Sequence, residues 1–412
     1  MAGSVLMLGG SLFAQDLTTN AVVAGTNDVV VTANTVEAAT NTVGATTNTL
    51  EVATNVVAAT TNAVPQTDSI KQNEVIQLSA QADEAFQKND FALALKDYSK
   101  VLELDSNNVV AYYARGWTQQ RMGDDDAALA DFDQAMQYCT NDLFLAGLFL
   151  SRGEVNYRKK AFEPAVADCT QAIRTNPKFE EAYITRARIF NSMKRYDRAV
   201  IDCNMAIWLK PASAEAYYLR GQADENIQEL GKALDDFDQA IHLNGTNDVY
   251  YLARAVARNI NRDYNAALAD CDMALGLNPH YADACASKGQ ILLELGKYAD
   301  AVIVCKQAIT LNTNSYLAYN NLAWILAVAP DEKIRDGGQA VLYAQQACEM
   351  SRWKSAYCLG TLAAACAEAG KFDEAVKYEQ QCIIMGLSDK DLAQANKELE
   401  LFKQNKPYHL EH

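Results

Sequence analysis

Alanine recurs along this chain at Ala94, Ala128, Ala165, Ala199, Ala233, Ala267, Ala301, Ala340 and Ala375, at intervals of 34, 37, 34, 34, 34, 34, 39 and 35 residues. Spacing this regular constrains the chain to one structural unit copied about nine times. A second ladder follows seven residues behind, through Val101, Ala135, Ala172, Ala206, Ala240, Ala274, Ala308, Ala347 and Cys382. Small residues seven apart share one helix face. A third ladder precedes the first alanine by twelve residues, at Ala82, Gly116, Gly153, Ala187, Gly221, Ala255 and Gly289, and marks a second helix in each copy. Gly123, Asn261, Arg262 and Gly296 fall between the two helices, while Pro177, Pro211 and Pro279 punctuate the ends of copies. Each copy therefore reads helix, turn, helix, turn.

One copy supplies Tyr183, Ala187, Tyr196, Ala199, Ala206 and Pro211 in fixed order. This resembles the tetratricopeptide repeat, whose period is about 34. The likeness covers residues 75–389, with copies opening near Val75, Val109, Ala146, Glu180, Ala214, Asp248, Ala282, Tyr316 and Ala356. It implies an all-α fold: an α-solenoid wound as a right-handed superhelix of about nine helix-turn-helix units. No copy buries its apolar face alone, and the small residues let neighbouring helices approach closely enough to exclude water. Asn320 to Ala329, followed by a longer loop from Pro330 to Gly338, resembles a terminal repeat pair of bacterial tetratricopeptide proteins, with Leu322, Ala323, Trp324, Pro330 and Asp331 carrying the likeness. Lys406, Pro407 and Tyr408 extend it, and Leu392, Leu399 and Phe402 predict a capping helix within residues 390–412.

The amino-terminal stretch is different. Val5 to Ala14 reads as the apolar core and end of a secretory signal in residues 1–14, although no Lys or Arg precedes Lys71. Export to the periplasm or beyond is the expectation; a cytoplasmic protein follows if residues 1–14 are not a signal. Residues 15–74 are rich in Thr, Asn, Ala and Val and lack aromatic residues, so a disordered tether is predicted, with a coil reach of about 45 Å. The valines leave β-structure open as an alternative.

The net charge of −16 argues against nucleic acid as a partner, because such binding calls for a basic stripe. No stretch is long and apolar enough for a transmembrane span. Of ten cysteines, Cys169, Cys203, Cys271 and Cys305 occupy one repeat position that elsewhere holds Tyr98, Phe132 and Phe237, which marks a core slot rather than a disulfide framework. With four histidines and no paired C-x-x-C, no metal site is predicted. Phosphate-loop, H-E-x-x-H and G-x-S-x-G motifs are absent, so the reading is non-enzymatic, without catalytic residues or cofactor.

Arginine stands one residue before the Gly/Ala position at Arg115, Arg152, Arg186, Arg220 and Arg254, and an aspartate follows each by sixteen residues, at Asp131, Asp168, Asp202, Asp236 and Asp270. Later copies replace both together: Lys288 with Val304, Leu322 with Tyr343, Leu362 with Tyr378. Linked replacement predicts a structural ion-pair ladder joining the helices of one unit or of neighbours. A row of arginines that grips carboxylates or phosphates is the alternative. Asp124, Asp125 and Asp126 are expected to cap a helix, and the pairs Asp131/Asp133, Asp236/Asp238 and Asp270/Asp272 diverge by about 200° on their helices and cannot chelate together.

The family resemblance further implies a concave groove lined by the second, fifth, ninth, twelfth and thirteenth positions of each unit. Carried over residue by residue, it offers Tyr113, Trp117, Gln120 and Arg121; Glu154, Tyr157 and Arg158; Arg188 and Asn191; Tyr218, Gln222, Glu225 and Asn226; then Asn259, Gln290 and Glu294. Trp117 is expected to be exposed and the principal contact for a protein or peptide ligand. The lysine and asparagine clamp by which some family members hold carboxylate-ended tails is missing. The expected function is a protein-interaction scaffold capturing a peptide or partner helix, with a structural or assembly factor acting through lateral surfaces as the alternative.

Overall fold

The computed structural model describes residues 66–411, and every described element is an α-helix. The expected signal and the tether up to residue 65 lie outside the described residues. Contacts divide the described chain into two units, one ending at Pro211 and the other beginning at Ala212.

The first unit holds α1 (Gln66–Gln87), α2 (Phe91–Leu104), α3 (Val109–Arg121), α4 (Asp125–Tyr138), α5 (Asp142–Arg158), α6 (Phe162–Thr175), α7 (Glu180–Ser192) and α8 (Tyr196–Leu209). The second holds α9 (Ala214–Asn226), α10 (Leu230–Leu243), α11 (Asp248–Ile260), α12 (Tyr264–Leu277), α13 (Ala282–Glu294), α14 (Tyr298–Leu311), α15 (Tyr316–Val328), α16 (Gly337–Met350), α17 (Ala356–Glu368), α18 (Phe372–Ile384) and α19 (Asp389–Lys403). Odd and even helices pair into antiparallel hairpins from α1/α2 to α17/α18, and α19 packs on α18 as the predicted cap.

Three boundaries depart from the sequence expectation. Helix α1 begins at Gln66, so the tether cannot extend to residue 74. Helix α5 opens at Asp142 rather than Ala146, because the 37-residue copy lengthens this helix to 17 residues, against 13 in α3 and α7, instead of lengthening the loop. Helix α15 starts at Tyr316, ahead of Asn320, and α16 at Gly337.

The small-residue ladders explain the hairpin geometry. A Cβ added at Gly116 would lie 2.8 Å from the Phe132 ring, and one at Gly221 would lie 2.7 Å from the Phe237 ring. Where the second helix carries phenylalanine at this slot, the first carries glycine, so volume is conserved across the contact. The turns repeat as well. Asn89, Gly123, Lys160, Lys194, Gln228, Arg262, Gly296 and Gly370 all adopt positive φ at the end of a first helix. The next amide donates five residues back, as from Asp124 N to Gln119 O at 2.9 Å and from Lys297 N to Leu292 O at 2.8 Å. This is the Schellman closure, in which a left-handed residue satisfies the last helical carbonyls.

The cysteine slot is core: Cys169, Cys203, Cys271 and Cys305 are fully buried, and all ten cysteines are free thiols. Burial pushes the Cys271 and Cys305 thiols up to about 12. No helix among the described residues is long and apolar enough to cross a membrane.

Candidate peptide-binding face

Within each unit, the first helices of successive hairpins touch one another: α5 meets α7 in one unit, and α9, α11, α13, α15 and α17 form a continuous series in the other. Second helices show no comparable mutual packing. The first helices therefore form the inner face of each stack.

The arginine ladder holds this face in register. Arg115, Arg186 and Arg220 each grip the aspartate sixteen residues on through Nε to Oδ2 and Nη2 to Oδ1, both at 2.7 Å. Arg152 and Arg254 pair likewise with Asp168 and Asp270. The ladder also runs backwards: Arg115 reaches Ser99, Arg186 reaches Thr170, Arg152 reaches Asp133, Arg254 reaches Asp238 and Lys288 reaches Asp272. Arg115, Arg152, Arg186 and Arg254 thus each tie their own hairpin together and fasten it to the one before, while Lys288 supplies the backward contact. Burial pushes the Asp202 carboxyl up from its usual value, and the hydrogen bond from Arg186 opposes that push. With their forks committed to carboxylates and hydroxyls, these arginines are structural. The second aspartate of each i, i+2 pair faces the following hairpin, which is why the two never converge.

The inner-face residues divide by depth. Tyr113 and Trp117 are 2% and 8% exposed, against the expectation of an exposed tryptophan. Their rings pack edge-on to each other at 6.4 Å and against Phe132 at 5.9 and 6.2 Å, with Phe144 of the next hairpin 5.3 Å from Tyr113. They fill the seam between hairpins, where burying aromatic area outweighs display. Asn259 is also buried, at 7%. Arg121 and Arg158 are exposed, and Glu154, Tyr157, Arg188, Tyr218, Gln222 and Asn226 are half-buried.

Several of these are already oriented. Arg121 lies over the Phe91 ring at 5.5 Å. Arg158 donates to Asp125 of the preceding hairpin, and Lys159 to Asp126. Asp124 is the cap, accepting from Ala127 N at 3.1 Å, so the acidic triplet divides between capping and inter-hairpin pairing. The Tyr157 hydroxyl stands 2.9 Å from Ser192 Oγ. In the second unit, Gln222 Nε2 donates to the Tyr218 hydroxyl at 2.6 Å, Asn226 Nδ2 donates to Gln222 O at 2.8 Å, and Tyr218 packs on Tyr250 at 5.0 Å. Burial pushes the Glu225 carboxyl up to about 8. Trp117 Nε1, Asn259 Oδ1 and Glu294 Oε1 are buried with no hydrogen-bond partner, and all three sit at ninth, twelfth or thirteenth positions. No cluster of three metal-ligating side chains occurs among the described residues.

Sequence reasoning missed an outer feature. Ile201, Met205 and Trp208 are 62%, 36% and 72% exposed on α8. Their i, i+4, i+7 spacing was legible as one helix face.

The family described as TPR repeat matches residues 82–123, and that described as tetratricopeptide repeat matches residues 109–142 and 282–315. With the stacked hairpins these matches define the class of unit: the chain carries tetratricopeptide repeats. Among solved structures, the APC/C hetero-tetramer Cut9-Hcn1 is 18% identical over 70% of this chain and 55% of that one, with a TM-score of 0.52. A tetratricopeptide repeat protein from Parabacteroides merdae ATCC 43184 is 15% identical over 72% of this chain and 98% of that one, with a TM-score of 0.46. MamA protein is 24% identical over 42% and 94%, with a TM-score of 0.38. No curated protein matches the chain.

Proposed function

We propose that this protein is a non-enzymatic scaffold that captures an extended peptide or partner helix on the inner face of its repeats. The observation that carries the reading is the row of half-buried Tyr218, Gln222 and Asn226 on α9, an aromatic body beside hydrogen-bonding side chains at the fifth, ninth and thirteenth positions of one inner-face helix. Half-buried Tyr157 on α5 offers the same kind of surface in the first unit, and aromatic bodies beside adaptable hydrogen-bonding groups suit peptide backbones. The test selects peptides by display against the intact chain and measures their affinity for Arg121→Glu, Gln222→Ala and Asn226→Ala. Loss of at least tenfold on these changes supports the reading; affinity indifferent to all three removes it.

The stripe of Ile201, Met205 and Trp208 favours a second reading, an assembly factor that packs laterally. Affinity lost on Trp208→Ala and retained on the inner-face changes selects that reading. The apolar run from Val5 to Ala14 supports export in either case, and fractionation of the source cell tests it.

A further inference from the structure

Beyond α19 the chain turns back on the repeats. Lys406 N donates to Leu401 O at 3.0 Å and closes the helix, and the following residues run over α15 and α17. The Tyr408 ring centre lies 6.4 Å from that of Trp324. His409 Nε2 is 2.6 Å from Glu368 Oε2, and Leu410 N donates to Val328 O at 2.8 Å. Tyr408 and Leu410 both pack on the apolar cluster of the terminal repeats.

The receiving surface is prepared for such a segment. Trp324 occupies the ninth position of α15, Val328 the thirteenth, and Glu368 the thirteenth of α17, so all three belong to the inner face. Arg335 fixes the Glu368 carboxylate by donating from Nε to Oε1 at 2.9 Å, and is itself anchored through Nη1 to Ala329 O and Pro330 O at 2.7 and 3.0 Å. The second carboxylate oxygen is thereby presented towards a donor. Val328 O lies in the last turn of α15, where carbonyls lack helical partners. Trp324 Nε1 is buried without a partner. An aromatic face, an oriented carboxylate and a helix-terminal carbonyl thus stand in a row.

We propose that this row is a peptide-binding site in its own right, which takes an extended external segment carrying an aromatic residue, a basic hydrogen-bond donor and an apolar residue in succession. The chain's own residues 406–411 are its resident occupant, and an incoming segment must displace them. Charge complementarity to Glu368 and the tail's own contacts define the ligand chemistry. The inference does not depend on the inner face of the first unit. A tethered occupant competes at a high effective concentration, so the intact chain binds an external segment weakly.

The test adds a labelled hexapeptide, Lys-Pro-Tyr-His-Leu-Glu, to the full chain and to the full chain carrying Tyr408→Ala and His409→Ala, and reads fluorescence anisotropy, with melting by circular dichroism to check folding. Binding at least tenfold tighter by the substituted chain, reduced at least fivefold by adding Glu368→Gln and unaltered by Arg158→Glu, is the expected result. Equal affinity for both chains, or binding indifferent to Glu368→Gln, overturns the proposal.

Discussion

Arg186 and Asp202 meet through two parallel hydrogen bonds of 2.7 Å, with Asp202 only 3% exposed, while the remaining arm of Arg186 reaches Thr170 in the preceding hairpin at 3.0 Å. The pair is therefore both the clasp of one repeat and its fastening to another. Removing one partner strands a buried charge, whereas removing both need not. Arg186→Ala is expected to destabilise the chain by about 3–5 kcal/mol. The double change Arg186→Leu with Asp202→Tyr should recover most of that loss, because the chain itself uses Leu322 with Tyr343 and Leu362 with Tyr378 at these slots. Urea unfolding followed by circular dichroism, with amide exchange to localise the effect, checks this; a double variant no better than Arg186→Ala would count against it.

Glycine is interchangeable at one helix position and not at another. Gly116→Ala drives a methyl group to 2.8 Å from the Phe132 ring and should cost about 1–3 kcal/mol. Gly147, inside α5, has nothing within 4 Å of an added Cβ, so Gly147→Ala should stabilise by about 0.5–1 kcal/mol through helix propensity. Opposite shifts in melting temperature are the signature.

Two carboxylates lie buried where α19 covers α18. Burial, with the Glu398 charge nearby, pushes the Glu379 carboxyl well above its usual value, and burial pushes Glu398 up as well, against the hydrogen bond from Gln394 and the charge of Lys397. Tyr408, Cys382 and Asp391 also face this cluster. Both folded values exceed the ordinary value of 4.5, so the native state holds protons that the unfolded chain has released. Their contribution is fully present below about pH 4.5 and is lost as pH rises through the raised folded values of the pair. Thermal melts from pH 5 to pH 9 should show declining stability, with the decline reduced in Glu379→Gln. An equal slope in the variant would refute this origin.

Thiol reactivity should report repeat packing. Cys139 is the half-buried thiol and the other nine are buried. In the native state a maleimide should modify Cys139 alone, and all ten only after unfolding. Rapid native labelling of Cys305 would contradict the core assignment.

The repeat count, the hairpin order and the matching arginine and aspartate positions were legible because each is a periodic constraint imposed on every copy. The backward arm of the ladder was legible only in part: Ser99, Thr170, Asp133 and Asp238 differ in chemistry, so no single residue type marked the slot. Trp117 was misplaced for a physical reason. A position number states which face a residue occupies, but not whether the neighbouring hairpin brings a Phe144 to cover it. The tail's return to Trp324 and Glu368 joins residues 84 and 41 apart, beyond the reach of any repeat period.

The central claim is that partners are held on the inner face. A photo-crosslinking residue placed at Tyr157 on α5, or at Trp208 on the outer side of α8, and irradiated with a selected peptide bound, tests it most directly. Crosslinking from position 157 and none from position 208 is the predicted result. Crosslinking from 208 with none from 157 would contradict the account and place the partner on the outer surface.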